Sequence, residues 1–113
     1  MNNRIYLSGA ITGRNYDLVQ AQFAEAEEKV TQWQYEPINP LKNGLPPEST
    51  WTEHMMQDLA MLLTCGAIFM LEGWEKSDGA NIEHIFAQKM NIPIIYERQQ
   101  IKFRYPVIEE QIL

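Results

Sequence analysis

Apolar residues fall in short runs and helical stripes that alternate along the chain. Ile5-Tyr6-Leu7 is a β-prone run ended by Ser8-Gly9-Ala10, which predicts a first strand and a turn. Val19, Phe23, Ala26, Val30 and Trp33 recur at spacings of four, three, four and three, a single helical stripe. Glu25, Glu27, Glu28 and Lys29 lie off it and read as solvated. Gln34 to Ile38 reads as a second short strand, kept near a sheet edge by Pro37. Asn39 to Ser49, with Pro40, Gly44, Pro46 and Pro47, is loop. A loop this long in a small domain is usually functional or mobile. Thr50-x-x-Glu53 is a capping box that opens a helix, with Trp51, Met55, Leu59 and Leu62 as its expected buried stripe. Ala67 to Leu71 predicts a third strand, and Pro93 to Tyr96 a fourth. Between them a helix runs from about Gly79 to Met90, with Ile82, Ile85, Phe86 and the stem of Lys89 expected to face inward.

The pattern is β-α-β-α-β-α-β. It predicts an α/β three-layer sandwich: a parallel sheet of four or five strands, right-handed crossovers, and helices on both faces. Ile101, Phe103, Tyr105, Val107 and Ile108 make the segment from Glu97 onward too apolar for a free tail. It could add a fifth strand, cover the sheet, or cross to another subunit.

With 113 residues, 45% hydrophobic and 21% charged, the chain suits one globular domain with a modest core. The net charge of -6, with no Lys/Arg cluster beyond two neighbours, argues against binding duplex nucleic acid. It leaves room for one nucleotide, whose phosphate can sit on backbone N–H groups at a helix start. No apolar run approaches the roughly 20 residues that span a bilayer, and Met1-Asn2-Asn3-Arg4 is no signal peptide. Cys65 is the only cysteine, so an intracellular, cytoplasmic protein is expected. His54 and His84 are far apart, no metal-ligand spacing is present, and no cofactor is expected.

The richest stretch for chemistry is Gly73-Trp74-Glu75-Lys76-Ser77-Asp78-Gly79-Ala80-Asn81-Ile82-Glu83. A strand, a polar turn with glycines and then a helix is where open α/β sheets put ligands. Glu83 lies about one turn inside that helix, placed to aim back toward the loop mouth. Such an acid could equally complement the helix dipole. Asp58 neighbours Met55 and Leu62 beside a buried stripe, where desolvation would raise its pKa and suit a proton donor. An ordinary surface aspartate is the alternative. Tyr6 could be core, or could orient a catalytic carboxylate from the end of a central strand. Ser8-Gly9-Ala10-Ile11-Thr12-Gly13 is a strand-to-loop turn suited to sugar or phosphate contact, without the spacing of a dinucleotide or Walker loop. Trp51 and Trp74 read as core or rim, and His84 as a bystander.

In order and spacing, Ile5-Tyr6-Leu7-Ser8-Gly9, Asn39-Pro40, Asp58-Leu59 and Gly73-Trp74-Glu75-x-Ser77-x-Gly79-x-x-x-Glu83 resemble the nucleoside 2-deoxyribosyltransferase-like superfamily. Within it they are most similar to a small phage- or prophage-borne subgroup known as a domain of unknown function, related to 2′-deoxynucleoside 5′-phosphate N-hydrolases. The resemblance covers about residues 4 to 96, leaving residues 97 to 113 as a divergent tail. It implies a flavodoxin-like (Rossmann-like) sheet. It makes Glu83 the nucleophile on the anomeric carbon, Asp58 the acid that helps the base depart, and Tyr6 the residue that holds the nucleophile. Ser8, Gly9, Ile11, Thr12, Ser77 and Gly79 become substrate contacts. The implied activity is cleavage or transfer of the N-glycosidic bond of a 2′-deoxynucleoside or its 5′-monophosphate. A non-catalytic nucleotide-binding or sensing module is the rival. The hydrolases' loop arginine is replaced here by Thr12, with Arg14 slightly later. The apolar tail and the extra methionines Met55, Met56 and Met61 predict a homodimer or higher oligomer, through the second and third helices.

Overall fold

The computed structural model describes residues 2–100 and the backbone of residues 108–109. β1 (Arg4–Ser8) has consecutive buried residues because both faces of the sheet are covered. α1 (Tyr16–Gln32) begins where the Asn15 side chain accepts the N–H groups of Asp17 and Leu18. β2 (Glu36–Ile38) follows, then a 3-10 turn at Pro40–Lys42 inside the long loop. α2 (Trp51–Leu63) opens with the complete Thr50/Glu53 capping box. β3 (Ala67–Met70), a 3-10 turn (Trp74–Lys76), α3 (Asp78–Lys89) and β4 (Ile94–Tyr96) complete the repeat. β5 (Ile108–Glu109) closes the sheet.

The strand order is β2-β1-β3-β4-β5. β1 to β4 are parallel, and β2 lies at the edge, where Pro37 costs no central ladder bond. The four-stranded parallel sheet is as expected; the tail adds a fifth strand that pairs antiparallel with β4, Ile95 opposite Ile108. The other tail residues lie outside the described residues. The connections from β1 and β3 leave toward opposite faces, which opens a crevice at their carboxyl ends.

The two faces of β1 carry different layers. Ile5 and Leu7 pack with Phe69, Leu71 and the α1 stripe Val19, Phe23, Ala26 and Val30. Tyr6 packs on the other face with Ile68, Met70, Leu62, Ala80 and Ala87, under α2 and α3. Strand alternation places Ser8 on the Tyr6 side. Trp33 caps α1 and meets Phe69 edge-on, ring centroids 5.2 Å apart.

Two helical faces differ from expectation. On α3 the buried residues are Ala80, Glu83 and Ala87, while Ile82 and Ile85 face solvent, as does Lys89. Small residues let this helix lie close to the sheet, and hydroxyls from β1 receive the acid between them. On α2 the buried set is Met55, Asp58 and Leu62, with Leu59 half-buried and Trp51 half-exposed. Met61 packs on the core and Met55 is buried, so of the three extra methionines only Met56 projects into solvent. Among the described residues no helix is long and apolar enough to cross a membrane.

Candidate active site

A cavity of about 440 Å³ opens at the carboxyl edge of β1. The loop after β1 supplies Gly9, Ile11 and Thr12; the loop after β2 supplies Leu41, Asn43 and Leu45. Trp51, His54, Met55 and Asp58 come from α2, and Ser77, Gly79, Ala80 and Glu83 from the start of α3.

Glu83 lies at its base, only 5% exposed. Tyr6 donates its hydroxyl to Oε2 at 2.6 Å, and Ser8 donates to Oε1 at 2.7 Å. Both donors are fully buried, two residues apart on one face of β1. Burial pushes the Glu83 carboxyl up to about 7; the Tyr6 and Ser8 hydrogen bonds oppose that rise, and the nearby Asp58 charge adds to it. Burial, reinforced by the Glu83 charge, holds the Tyr6 phenol well above its ordinary value, so it stays a donor.

Asp58 is 7% exposed, and burial raises its pKa against the opposing effects of Asn43 and His54. Asn43 ties the loop to α2. Its Oδ1 accepts the Leu45 N–H at 3.1 Å. Its Nδ2 donates to Asp58 Oδ1 at 3.0 Å and lies 2.9 Å from His54 Nδ1. Asp58 Oδ2 is accessible and makes no hydrogen bond among the described residues. Two carboxylates with raised pKa values thus face one cavity, near enough to influence each other.

Of the residues singled out in the sequence, Glu83, Asp58, Gly9, Ile11, Thr12, Ser77 and Gly79 line this cavity. Tyr6 and Ser8 lie beneath it. For Ser8 this is a correction: expected as a substrate contact, it is sealed from the cavity and holds Glu83 instead. Ser77 caps α3 by accepting the Ala80 N–H. Gly79 keeps the wall thin: a Cβ there would lie 3.2 Å from Met55 Sδ and 4.0 Å from Trp51 Nε1. Arg14 donates to the Ala10 carbonyl and to Gln22 rather than into the site. Among the described residues, no Lys or Arg lines the cavity. No three His, Cys, Asp or Glu side chains among the described residues converge as metal ligands. His84 stands apart from the cavity, its ring 4.4 Å from Trp74 and its Nε2 2.7 Å from the Tyr96 hydroxyl.

Sequence reasoning missed Asn43, His54 and the half-exposed rim aromatic Tyr16, while Trp51, read as core or rim, lies half-exposed at the rim. The spacing of His54 and Asp58, four residues apart on one helix, was the available signal for the histidine. Nothing local marks Asn43, whose role depends on how a proline-rich loop folds back.

Residues 3–96 match the family model described as a domain of unknown function, DUF4406. The chain belongs to this family. No curated protein matches the chain. Among solved structures, this DUF4406 domain is similar to the 2-deoxyribosyltransferase from the psychrotolerant bacterium Bacillus psychrosaccharolyticus. The two share 19% identity over 82% of this chain and 70% of that one, with a TM-score of 0.64, which shows a common fold.

Proposed function

We propose that this domain is an enzyme that cleaves the N-glycosidic bond of a 2′-deoxynucleoside, with Glu83 as nucleophile and Asp58 as acid. The observation that carries the reading is the pair of buried carboxylates facing one cavity, one of them clamped by two hydroxyls. The breaking bond joins the anomeric carbon to the base nitrogen, and its electron pair leaves with the base. Asp58 gives that base a proton, because an unprotonated base departs poorly. Glu83 forms a bond to the anomeric carbon as positive charge develops there. Water then attacks the glycosyl ester, gives a proton back to Asp58 and releases the free sugar. A second base in place of water would make the reaction a transfer.

The site begins with a proton to place. Burial lifts the Glu83 carboxyl to about 7 and raises Asp58 as well, so both acids are disposed to hold a proton. The productive arrangement has Glu83 charged and Asp58 protonated. Tyr6 and Ser8 favour the charged form of Glu83, and a base that fills the cavity excludes water from Asp58. The absence of Lys and Arg from the described lining favours the uncharged nucleoside over its 5′-monophosphate.

Oligomerisation belongs to the same reading. Met56 on α2 and Ile82 and Ile85 on α3 put apolar side chains into solvent, which suits a two-fold contact with a second copy.

Incubation with a panel of deoxynucleosides and their 5′-monophosphates, followed by chromatography, tests the activity through released base. Tight binding of a nucleoside without any release would move the protein to a binding or sensing role.

A further inference from the structure

The cavity holds a donor that the cleavage mechanism does not use. His54 and Asp58 are four residues apart on α2 and both line the cavity, so they share a helical face. The tautomer of His54 follows from its neighbour. Leu45 N–H donates to Asn43 Oδ1, which fixes the amide with Nδ2 toward His54 and Asp58. An NH₂ group only donates, so His54 Nδ1 must accept, and the proton of the neutral ring is on Nε2. That Nε2 is accessible and has no partner among the described residues. Asn43 likewise occupies Asp58 Oδ1 and leaves Oδ2 to carry the proton. With Asp58 protonated, as the cleavage reading requires, two donors, Asp58 Oδ2–H and His54 Nε2–H, stand on adjacent turns of one helix.

We propose that His54 selects the base, so that the site takes a 6-oxopurine 2′-deoxynucleoside in preference to an adenine one. This rests on the cleavage reading above. A 6-oxopurine presents two neighbouring acceptors, ring N7 and O6, where adenine presents ring N7 and an amino donor. Asp58 protonates ring N7, which makes the purine a better leaving group, and His54 Nε2–H meets O6. Against adenine the same Nε2–H faces N–H groups. The ring cannot switch tautomer to accommodate them, because Nδ1–H would then confront the Asn43 amide. A donor that the bound base shuts off from water and leaves without an acceptor is what makes such a site discriminate.

The test compares kcat/KM for 2′-deoxyinosine and 2′-deoxyadenosine in the wild-type protein, His54→Phe and Asn43→Ala. The two substrates differ at the purine 6-position. Wild type should favour deoxyinosine by at least about tenfold, the scale of one paired hydrogen-bond contact. His54→Phe removes the donor, and Asn43→Ala releases its tautomer; both should bring the ratio to within about threefold. Thermal melts establish that each variant is folded, and either folded variant decides the point. Equal kcat/KM for both substrates in wild type overturns the base selection and leaves cleavage standing. A ratio kept in a folded variant overturns the role of His54. Release of base from neither substrate, nor from any member of the wider panel, overturns the cleavage reading and this inference with it.

Discussion

Tyr6 and Glu83 are 77 positions apart in the chain, yet the phenol and the carboxylate meet at 2.6 Å in the core of the site. The bond joins β1, an interior strand of the sheet, to the helix that follows β3. It also biases a buried acid toward the charged form required of a nucleophile.

Tyr6→Phe tests this bias. The variant keeps the ring but loses the donor, so the Glu83 carboxyl should rise further above about 7. Because the proposed mechanism requires the charged form, the acid limb of the kcat/KM profile should move to higher pH. A loss of about tenfold or more is expected at neutral pH. Ser8→Ala should move the limb the same way, since Ser8 holds the other oxygen. A profile unmoved by both changes would remove the hydroxyls from catalysis.

Glu83→Gln should reduce turnover by at least about a hundredfold. It should also stabilise the fold at neutral and higher pH. The folded pKa is raised from 4.5 to about 7, so the unfolded chain ionises first as pH rises. Stability is fully present below the lower value and is lost as pH passes through the upper one, by on the order of 3 kcal/mol. Glu83→Gln escapes that loss. Melting curves of both proteins from pH 4 to 8 check the crossover; parallel curves would show that the carboxyl is not raised.

Asp58→Asn should slow release of natural bases far more than release from a substrate with a pre-activated leaving group, since the acid helps only where the base needs a proton. The basic limb of the pH profile should disappear with it. Equal slowing of both substrates would leave Asp58 as a ligand or a structural residue.

Gly9→Ala tests how the first loop is seated. A Cβ there would lie 3.2 Å from both Leu71 Cβ and Phe23 Cζ, atoms of the core with little room to give. A destabilisation of about 1–3 kcal/mol is expected, measured by denaturant titration. A neutral result would mean that the loop shifts as a body.

Ile85→Lys on α3 should convert a dimer to a monomer, because Ile85 is 54% exposed on the face opposite the buried acid. Light scattering at micromolar concentration decides. A monomeric wild-type protein would end the proposal of a two-fold contact through these residues.

The order of elements was legible because each has a local cause. The Val19 to Val30 stripe, the Thr50/Glu53 capping box and the proline at the edge of β2 act within a few residues of themselves. Glu83 and Asp58 were legible as candidates for the same reason: one follows a strand and a glycine turn, and the other borders an apolar stripe. The inward face of α3 was misread because hydrophobicity points to Ile82 and Ile85, whereas Ala80, Glu83 and Ala87 are buried. No local rule buries a glutamate. Its partners are supplied by a strand 75 and 77 positions away. Nor does any local rule make Ser8 a support beneath the cavity, or Asn43 the link between Asp58 and His54. The sequence by itself determined the alternation of strands and helices and named the acids, because propensity, capping and periodicity are short-range effects. Only the tertiary structure decided which hydroxyls hold Glu83 and which histidine adjoins Asp58, because a polar side chain is buried only where the fold brings it a partner.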